Sequence, residues 1–179
     1  MAGFTHRLAT MDDLDALREV MRRSIATLQT GFLTPDQVRV SHAVMGLDTQ
    51  LIKDGTYFMV EKEGRIAGCG GWSWRSTLYG GDESMVSREP EALDPAKDAA
   101  RIRAMFTDPD FTRRGVGKLI LSQCESAARA AGFTRTEMMA TLAGEPLYRA
   151  CGYREIERLS AAPVGGVAVP LVRMGKPLS

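Results

Sequence analysis

The spacing of hydrophobic positions in the first third of the chain predicts one short strand and two helices. Residues 5–9 alternate in part, as is typical of a strand. Apolar residues recur every three or four positions within residues 10–31, which predicts a helix with one buried stripe. A second helix begins at Thr34, where Pro35 takes the first helical position and Gln37 completes a capping box.

Residues 56–61 and 66–75 predict a β-hairpin. Both stretches carry alternating or β-branched and aromatic positions, and Gly64 lies in the turn between them. The second arm also contains glycines that predict a bulge or a close approach of another backbone, at Gly68, Gly70 and Gly71.

The second half of the chain alternates between strands and helices. A strand–helix–strand order implies a parallel pair with a crossover, whereas hairpins imply antiparallel pairs. We therefore predict a mixed α/β fold with a mostly antiparallel central sheet of about seven strands and about four flanking helices. The predicted elements are strands at 99–107, 134–142, 153–159 and 166–174, and helices at 115–131 and 145–151.

Residues 76–97 interrupt this pattern with an acidic stretch that has no hydrophobic period. A loop of this length is unusual in a compact domain and is often functional or mobile. Two interpretations stay open for it, a lid over a functional site and a disordered insertion.

Composition and charge exclude several classes of function. The 179 residues fit one domain over 1–179, with 76–97 as an insertion. A net charge of +1 provides no basic field for nucleic acid, and no stretch is long and apolar enough to predict a membrane partner. The three cysteines lack Cys-x-x-Cys spacing and no signal-peptide pattern is visible, so we expect reduced thiols, no metal and a cytoplasmic location.

The most informative segment is the turn that leads from the strand at 99–107 into the helix at 115–131. Two glycines, Gly115 and Gly117, lie where the helix begins. The first backbone N–H groups of a helix have no partner within it and face the positive end of its dipole, so such a turn can bind a phosphate. Nearby cations add to this charge, namely Arg113, Arg114 and Lys118.

This turn does not fit two other phosphate-binding patterns. A Walker loop needs a glycine, four residues and then Gly-Lys-Ser/Thr, and Gly115 has no such partner. A dinucleotide fingerprint needs three spaced glycines, and this turn has two. The structural alternative is a helix start whose glycines serve only tight packing.

Flanking residues extend the pattern. Asp108-Pro109 precedes the glycines, and Leu147-Tyr148 is followed at a short distance by Gly152-Tyr153. With these, the chain resembles the GCN5-related N-acetyltransferase superfamily, whose members transfer acetyl from acetyl-CoA to an amine. The resemblance extends over the order of elements from Thr5 to Met174.

The resemblance implies where acetyl-CoA binds. In the family, the strand before the turn splays from its parallel neighbour and the pantetheine arm lies in the gap, which here implies Met105, Phe106 and Thr107. The pyrophosphate would lie on the turn formed by Thr112, Arg113, Arg114, Gly115, Val116, Gly117 and Lys118. Thr112 departs from the usual Gln or Arg, and Thr141 stands where relatives often have Asn.

The resemblance also implies a catalytic acid. Tyr148 matches a tyrosine that protonates the departing thiolate in many members; the alternative is an aromatic core residue. Relatives often place a glutamate base on the strand before the turn, where this chain has Arg101 and Arg103. The base therefore stays open, between a water chain and carboxylates that are near in sequence, namely Asp98, Glu137 and Glu145.

Three residues are candidates for binding the acceptor. Arg103 can bind an acidic group of the acceptor, or it can form an internal ion pair with Asp98 or the acidic loop. Trp72 and Trp74 share one strand face and are candidates for an acceptor pocket, with core packing or a dimer contact as the alternative.

The sequence therefore predicts an acetyl-CoA-dependent N-acetyltransferase that transfers acetyl directly to an amine of a small molecule, amino acid or peptide. The rival hypothesis is a catalytically silent module that binds acyl-CoA; the missing strand carboxylate favours it and Tyr148 opposes it. Homodimers are common in the family, and the resemblance extends that expectation to this chain.

Overall fold

The computed structural model describes residues 3–82 and 91–179. The described residues form one seven-stranded sheet with five α-helices. The strands are β1 (Thr5–Leu8), β2 (Tyr57–Lys62), β3 (Arg65–Ser73), β4 (Ala100–Thr107), β5 (Arg135–Thr141), β6 (Arg154–Ser160) and β7 (Pro170–Pro177). The helices are α1 (Leu14–Leu28), α2 (Pro35–Val44), α3 (Thr49–Lys53), α4 (Val116–Ala130) and α5 (Glu145–Ala150).

The predicted fold class is confirmed. The strand order is β1-β2-β3-β4-β5-β7-β6, and every neighbouring pair is antiparallel except β4 and β5, which α4 connects in parallel. The capping box at Thr34 forms as predicted, with the Gln37 backbone N–H donating to Thr34 Oγ1 at 3.2 Å.

Most predicted elements agree with the structure to within a few residues, but one helix was not predicted and the last strand is displaced. The prediction lacked α3, because a helix of five residues is too short to show a hydrophobic period. Asp48 caps it by accepting from the Gln50 backbone N–H at 3.0 Å. The last strand begins at Pro170 rather than residue 166, because Val164 and Val167 pair with each other in a tight turn just before it.

The two faces of the sheet carry separate apolar clusters. Helix α4 covers one face, where its apolar residues pack on β3, β4, β5 and β7. Helices α1 and α3 cover the opposite face over β2 and β3. A third cluster joins α2 to β7. A ligand that passes through the sheet would therefore meet α4 on one side and α1 and α2 on the other.

The glycines of β3 allow α4 to lie close to the sheet, as predicted. A Cβ at Gly68 would lie 2.6 Å from Cγ1 of Val116, far inside van der Waals contact. The first turn of α4 is thereby held against the strand next to β4.

The described parts of the predicted acidic loop are joined to the rest of the domain. Ser76 N–H donates to Glu91 O at 2.9 Å and Leu93 N–H donates to Trp74 O at 2.7 Å. Asp82 accepts from the Thr49 backbone N–H at 3.2 Å. Residues 83–90 lie outside the described residues, so the choice between a lid and an insertion stays a prediction.

Candidate active site

The parallel strands β4 and β5 separate partway along their length. They pair at Ala100–Thr136, Arg101–Glu137 and Ile102–Met138, and in the described residues their ladder ends there. Strand β5 nevertheless continues beside β7 to the pair Thr141–Leu171. Backbone groups on the β5 side of β4 beyond Ile102 have therefore lost their strand partner and are available to a ligand.

A β-bulge in β4 accompanies this separation. Cys69 pairs with Phe106 and Gly71 with Arg103, so Gly70 lies opposite both Ala104 and Met105. Ala104 has φ of 50°, an uncommon backbone conformation for a residue with a side chain. The Tyr57 hydroxyl, fully buried under α1, donates to Ala104 O at 2.7 Å and fixes the bulge.

Because of the bulge, the side chains of β4 do not alternate between the two faces of the sheet as simple alternation predicts. Simple alternation predicts that Ile102 and Ala104 share one face. Ile102 does pack in the α4 cluster, but Ala104 packs in the cluster on the opposite face, because the extra residue shifts the pattern by one.

A cavity of about 830 Å³ passes through the gap between the two strands. On the α4 face it is lined by the turn before α4 and by α5, including Thr112, Val116 and Tyr148. On the other face it is lined by the C-terminal part of α1, the end of α2 and residues 78–80. The gap therefore joins two chambers, one on each face of the sheet, and different segments of the chain line them.

The turn before α4 has the geometry of an anion site. Gly115 caps the helix with φ of 82°, a conformation that glycine adopts without steric cost. Arg113, with φ of 59°, and Lys118 are exposed and line the cavity. Arg114 instead lies over the rings of Phe4 and Phe111, each 5.3 Å from its guanidinium, and is not among the residues that line the cavity.

A buried carboxylate holds this turn in place. Asp108 accepts from the Asp110 backbone N–H at 2.9 Å and forms an ion pair with Arg23 of α1 at 2.9 Å. Arg23 was not predicted from the sequence, because the pair joins residues 85 positions apart.

Gly117 allows α4 and α5 to pack closely, in addition to any contact with a ligand. A Cβ there would lie 2.6 Å from Cδ2 of Leu147 and 3.9 Å from Oγ1 of Thr107. The missing side chain thus lets α5 pack against the first turn of α4, which brings Leu147 and the neighbouring Tyr148 to the cavity wall.

Tyr148 is 8% exposed and lines the cavity. Its ring lies against Gly144, where a Cβ would be 2.8 Å from Cε2, and Gly144 N–H donates to Thr141 Oγ1 at 3.1 Å. No described residue forms a hydrogen bond with the Tyr148 hydroxyl. Burial raises the pKa of Tyr148 above its ordinary value, so the hydroxyl stays protonated and can donate.

No carboxylate or histidine is among the described residues that line the cavity. The three carboxylates considered as bases lie elsewhere. Asp98 accepts from the Asp94 backbone N–H at 2.8 Å, and Glu137 pairs with Arg173 at 2.6 Å. Glu145 pairs with Arg158 at 2.6 Å. The described cavity wall therefore offers no protein base for the acceptor.

Arg103 is 3% exposed and lies on the α1 face of the sheet. It pairs with Asp48 at 3.2 Å and donates to Gly80 O at 2.6 Å. An internal pair with Asp98 or the acidic loop was one of the two alternatives; the described carboxylate partner is Asp48, and Gly80 lies in the predicted loop. Arg103 thereby ties residues 78–80, which line the cavity, to the start of α3.

The two tryptophans do not line the cavity. Trp72 and Trp74 share a face as predicted, but it is the face under α4, where Trp72 meets Phe133 with ring centroids 6.1 Å apart. Their contacts are those of core packing.

The family of the chain follows from its sequence. A model of the acetyltransferase (GNAT) family matches residues 23–153, which is more than half of the chain. The chain belongs to the GNAT acetyltransferase family. No sequence among curated proteins is significantly similar to this GNAT chain.

Solved structures of proteins described as acetyltransferases share the fold. A GCN5-related N-acetyltransferase from Rhodopseudomonas palustris superposes with a TM-score of 0.72 at 16% identity, over 99% of this chain and 98% of that one. The PaiA N-acetyltransferase from Thermoplasma acidophilum, solved with coenzyme A, gives 0.64 at 12% identity over 97% and 98%. YncA from Salmonella typhimurium, solved with its cofactor acetyl-CoA, gives 0.63 at 16% over 99% and 95%.

The described residues contain neither a metal-binding cluster nor a membrane-spanning helix. No group of three or more His, Cys, Asp or Glu side chains there could hold a metal ion. Among the described helices, none combines the length and apolar character needed to cross a bilayer.

Proposed function

We propose that this GNAT protein is an acetyl-CoA-dependent N-acetyltransferase that moves acetyl directly to a primary amine of a small molecule, amino acid or peptide. The observation that carries the proposal is the cavity through the gap between β4 and β5, which joins the N-terminus of α4 to Tyr148. Two structural neighbours were solved with coenzyme A or acetyl-CoA, which supports the same donor here.

The donor would bind along the α4 face. The pyrophosphate accepts from the first N–H groups of α4, with Arg113 and Lys118 adjacent. The pantetheine arm follows β4 from Thr107 to Met105 and takes backbone hydrogen bonds that β5 no longer uses. Arg114, held over two aromatic rings, would contribute charge rather than direct contact.

Gly115→Asp is expected to weaken CoA binding about 100-fold or more relative to Gly115→Asn, because only the former places a negative charge beside the pyrophosphate. Both side chains tolerate positive φ and have nearly the same size, so the pair isolates charge from backbone strain. Calorimetric titration with CoA measures the two dissociation constants, and thermal melting establishes that both variants fold. Equal dissociation constants would remove the phosphate from this turn.

The chemistry assigns one role to the protein acid. The neutral amine attacks the thioester carbon, the C–S bond breaks, and the amine nitrogen loses a proton as the amide forms. Tyr148 donates its proton to the departing sulfur and regains one from water. The products are the N-acetyl amide and CoA thiol. The raised pKa of Tyr148 keeps it protonated until it is needed.

Since the described cavity wall holds no carboxylate or histidine, the amine is expected to react as the free base present in solution. Below the pKa of the acceptor ammonium, kcat/KM should then rise about tenfold per pH unit. An α-amino acceptor should level off near pH 8 and an alkylamine near pH 10 (about 8 and 10.4 for such groups). Tyr148 causes no alkaline loss in this range, because its pKa is raised. An inflection near pH 6 to 7 shared by both acceptors would instead identify a base on the protein.

A thiol-release assay with acetyl-CoA and a panel of amines tests the proposal directly. Release that depends on both acetyl-CoA and an amine supports it, with mass spectrometry showing the acetyl group on the amine nitrogen. Binding of CoA without release for any amine would favour the silent acyl-CoA module. Binding of ATP as tight as that of CoA would overturn both.

A further inference from the structure

The chamber on the α1 face of the cavity is largely apolar. We call it the acceptor chamber, since the proposed donor site occupies the other face. Its walls come from the end of α1, the end of α2, the loop after β3, and β5 and β7. The large side chains that line it are Leu28, Phe32, Val44, Met45, Leu78, Tyr79, Met139 and Leu171. Phe32 is 49% exposed, a large value for an aromatic ring beside a cavity.

The described walls of the acceptor chamber offer no counterion to a second positive charge. Among the described residues of the cavity wall there is no carboxylate, and its cations are Arg103, Arg113 and Lys118. Arg103 is compensated by Asp48. A second ammonium on the acceptor would therefore move out of water into a site where it has no described counterion. Such a transfer is strongly unfavourable. The same surroundings lower the pKa of the reacting ammonium by desolvation and so favour its neutral, nucleophilic form.

Gln29 is a polar side chain of this chamber with a buried group that no described residue satisfies. It lies just after α1, is 5% exposed and lines the cavity. Its Nε2 donates to the sulfur of Met45 at 3.8 Å. Its Oε1 is the single buried side-chain oxygen or nitrogen without a hydrogen-bond partner in the described part of the chain.

The orientation of this amide follows from its neighbour. A thioether sulfur accepts hydrogen bonds but cannot donate them, so the N–H side of the amide faces Met45 and the oxygen is left over. The terminal torsion of a glutamine is broad, and Met45 is a flexible side chain, so rotation of the amide can turn Oε1 toward the cavity that Gln29 lines. A ligand N–H there would satisfy an oxygen that is otherwise buried without a partner.

We propose that the acceptor is a primary amine on an apolar, singly charged body that carries one neutral N–H donor, and that Gln29 Oε1 accepts from this donor. An α-amino amide with an apolar side chain has this chemistry. The inference rests on the proposed function in taking the chamber as the acceptor site. It goes further in naming the class of amine and the residue that selects it.

Two acceptors of nearly equal size test the proposed hydrogen bond from the acceptor N–H to Gln29 Oε1. Phenylalaninamide offers an amide N–H, whereas phenylalanine methyl ester does not. The wild-type protein should prefer the amide about 10-fold or more in kcat/KM, since the ester leaves Gln29 Oε1 unpaired. In Gln29→Met, which keeps the length of the side chain, the preference should fall to about onefold. Affinity for CoA should stay at its wild-type value in this variant.

A second pair tests the charge. Pentylamine should exceed 1,5-diaminopentane about 100-fold in kcat/KM, because the diamine carries a second ammonium into a chamber whose described walls hold no carboxylate. Equal use of the diamine, no wild-type preference for the amide, or a preference that persists in Gln29→Met would each overturn the inference while leaving acetyl transfer intact.

Calorimetry separates this inference from the proposed function. Both phenylalanine derivatives are titrated into CoA-saturated protein, with and without Gln29→Met. A Gln29-dependent preference for the amide, found without any turnover, would support the acceptor chamber and reject the acetyltransferase activity. Equal binding of amide and ester to wild-type protein would reject the role of Gln29 whatever the turnover.

Discussion

Tyr148→Phe is expected to lower kcat about 10²- to 10⁴-fold while the affinity for acetyl-CoA stays nearly unchanged. The substitution keeps the ring that packs against Gly144 and removes only the hydroxyl. That hydroxyl has no partner among the described residues, so its loss costs little folding stability. The measurement is steady-state thiol release, with calorimetry for the dissociation constant of acetyl-CoA.

Tyr153 provides a matched control for Tyr148. Their rings meet edge to face with centroids 6.2 Å apart, but the Tyr153 hydroxyl is buried and bonded to Thr136 at 2.8 Å and Glu125 at 3.0 Å. Tyr153→Phe should therefore lower the melting temperature and leave kcat close to the wild-type value. If Tyr148→Phe stays within twofold of wild type in kcat, Tyr148 is a packing residue and the acid lies elsewhere.

Arg103→Ala is expected to destabilise the fold by about 3–5 kcal/mol, because it removes the buried guanidinium that pairs with the buried Asp48 carboxylate. For a chain of this size that corresponds to a fall of about 6 to 20 °C in melting temperature. Urea unfolding measures the free energy, and thiol release on the same preparation measures KM for the acceptor.

The double variant Arg103→Met with Asp48→Asn is the control for this pair. It removes both charges, and the substituted amide still offers an oxygen to the Gln50 N–H that begins α3. Much of the lost stability should return. A fall in melting temperature with unchanged acceptor KM would exclude Arg103 from acceptor binding. A KM raised about 10- to 100-fold in both the single and the double variant would keep it there.

The structural features that the sequence predicted are those that depend on residues close together in the chain. The helix stripe in α1, the capping box at Thr34 and the glycine turn before α4 are set by residues within four positions of each other. The strand–helix–strand order predicted the parallel pair, and the resemblance implied where that pair separates and a role for Tyr148. These features need no knowledge of which distant elements meet.

The contacts that were missed join residues far apart in the chain. Arg103 pairs with Asp48 over 55 positions, and Tyr57 reaches Ala104 over 47. Trp72 and Trp74 were correctly placed on one face, but their sequence does not state whether that face borders the cavity. The bulge at Ala104 shifts the alternation of side chains along β4, and no local sequence pattern predicts this bulge.

The bulge at Ala104 also allows the residues at the two ends of the cavity to change independently during evolution. The gap is held open by the backbone geometry at Ala104 and by the buried Tyr57 hydroxyl, and Tyr57 does not line the cavity. The proposed donor contacts come from one contiguous stretch at 105–118 together with α5, whereas the chamber is assembled from α1, α2, the loop after β3, β5 and β7. On the proposed function, substitutions at Phe32, Met45 or Leu78 would change which amine enters and would leave the contacts to the thioester unchanged.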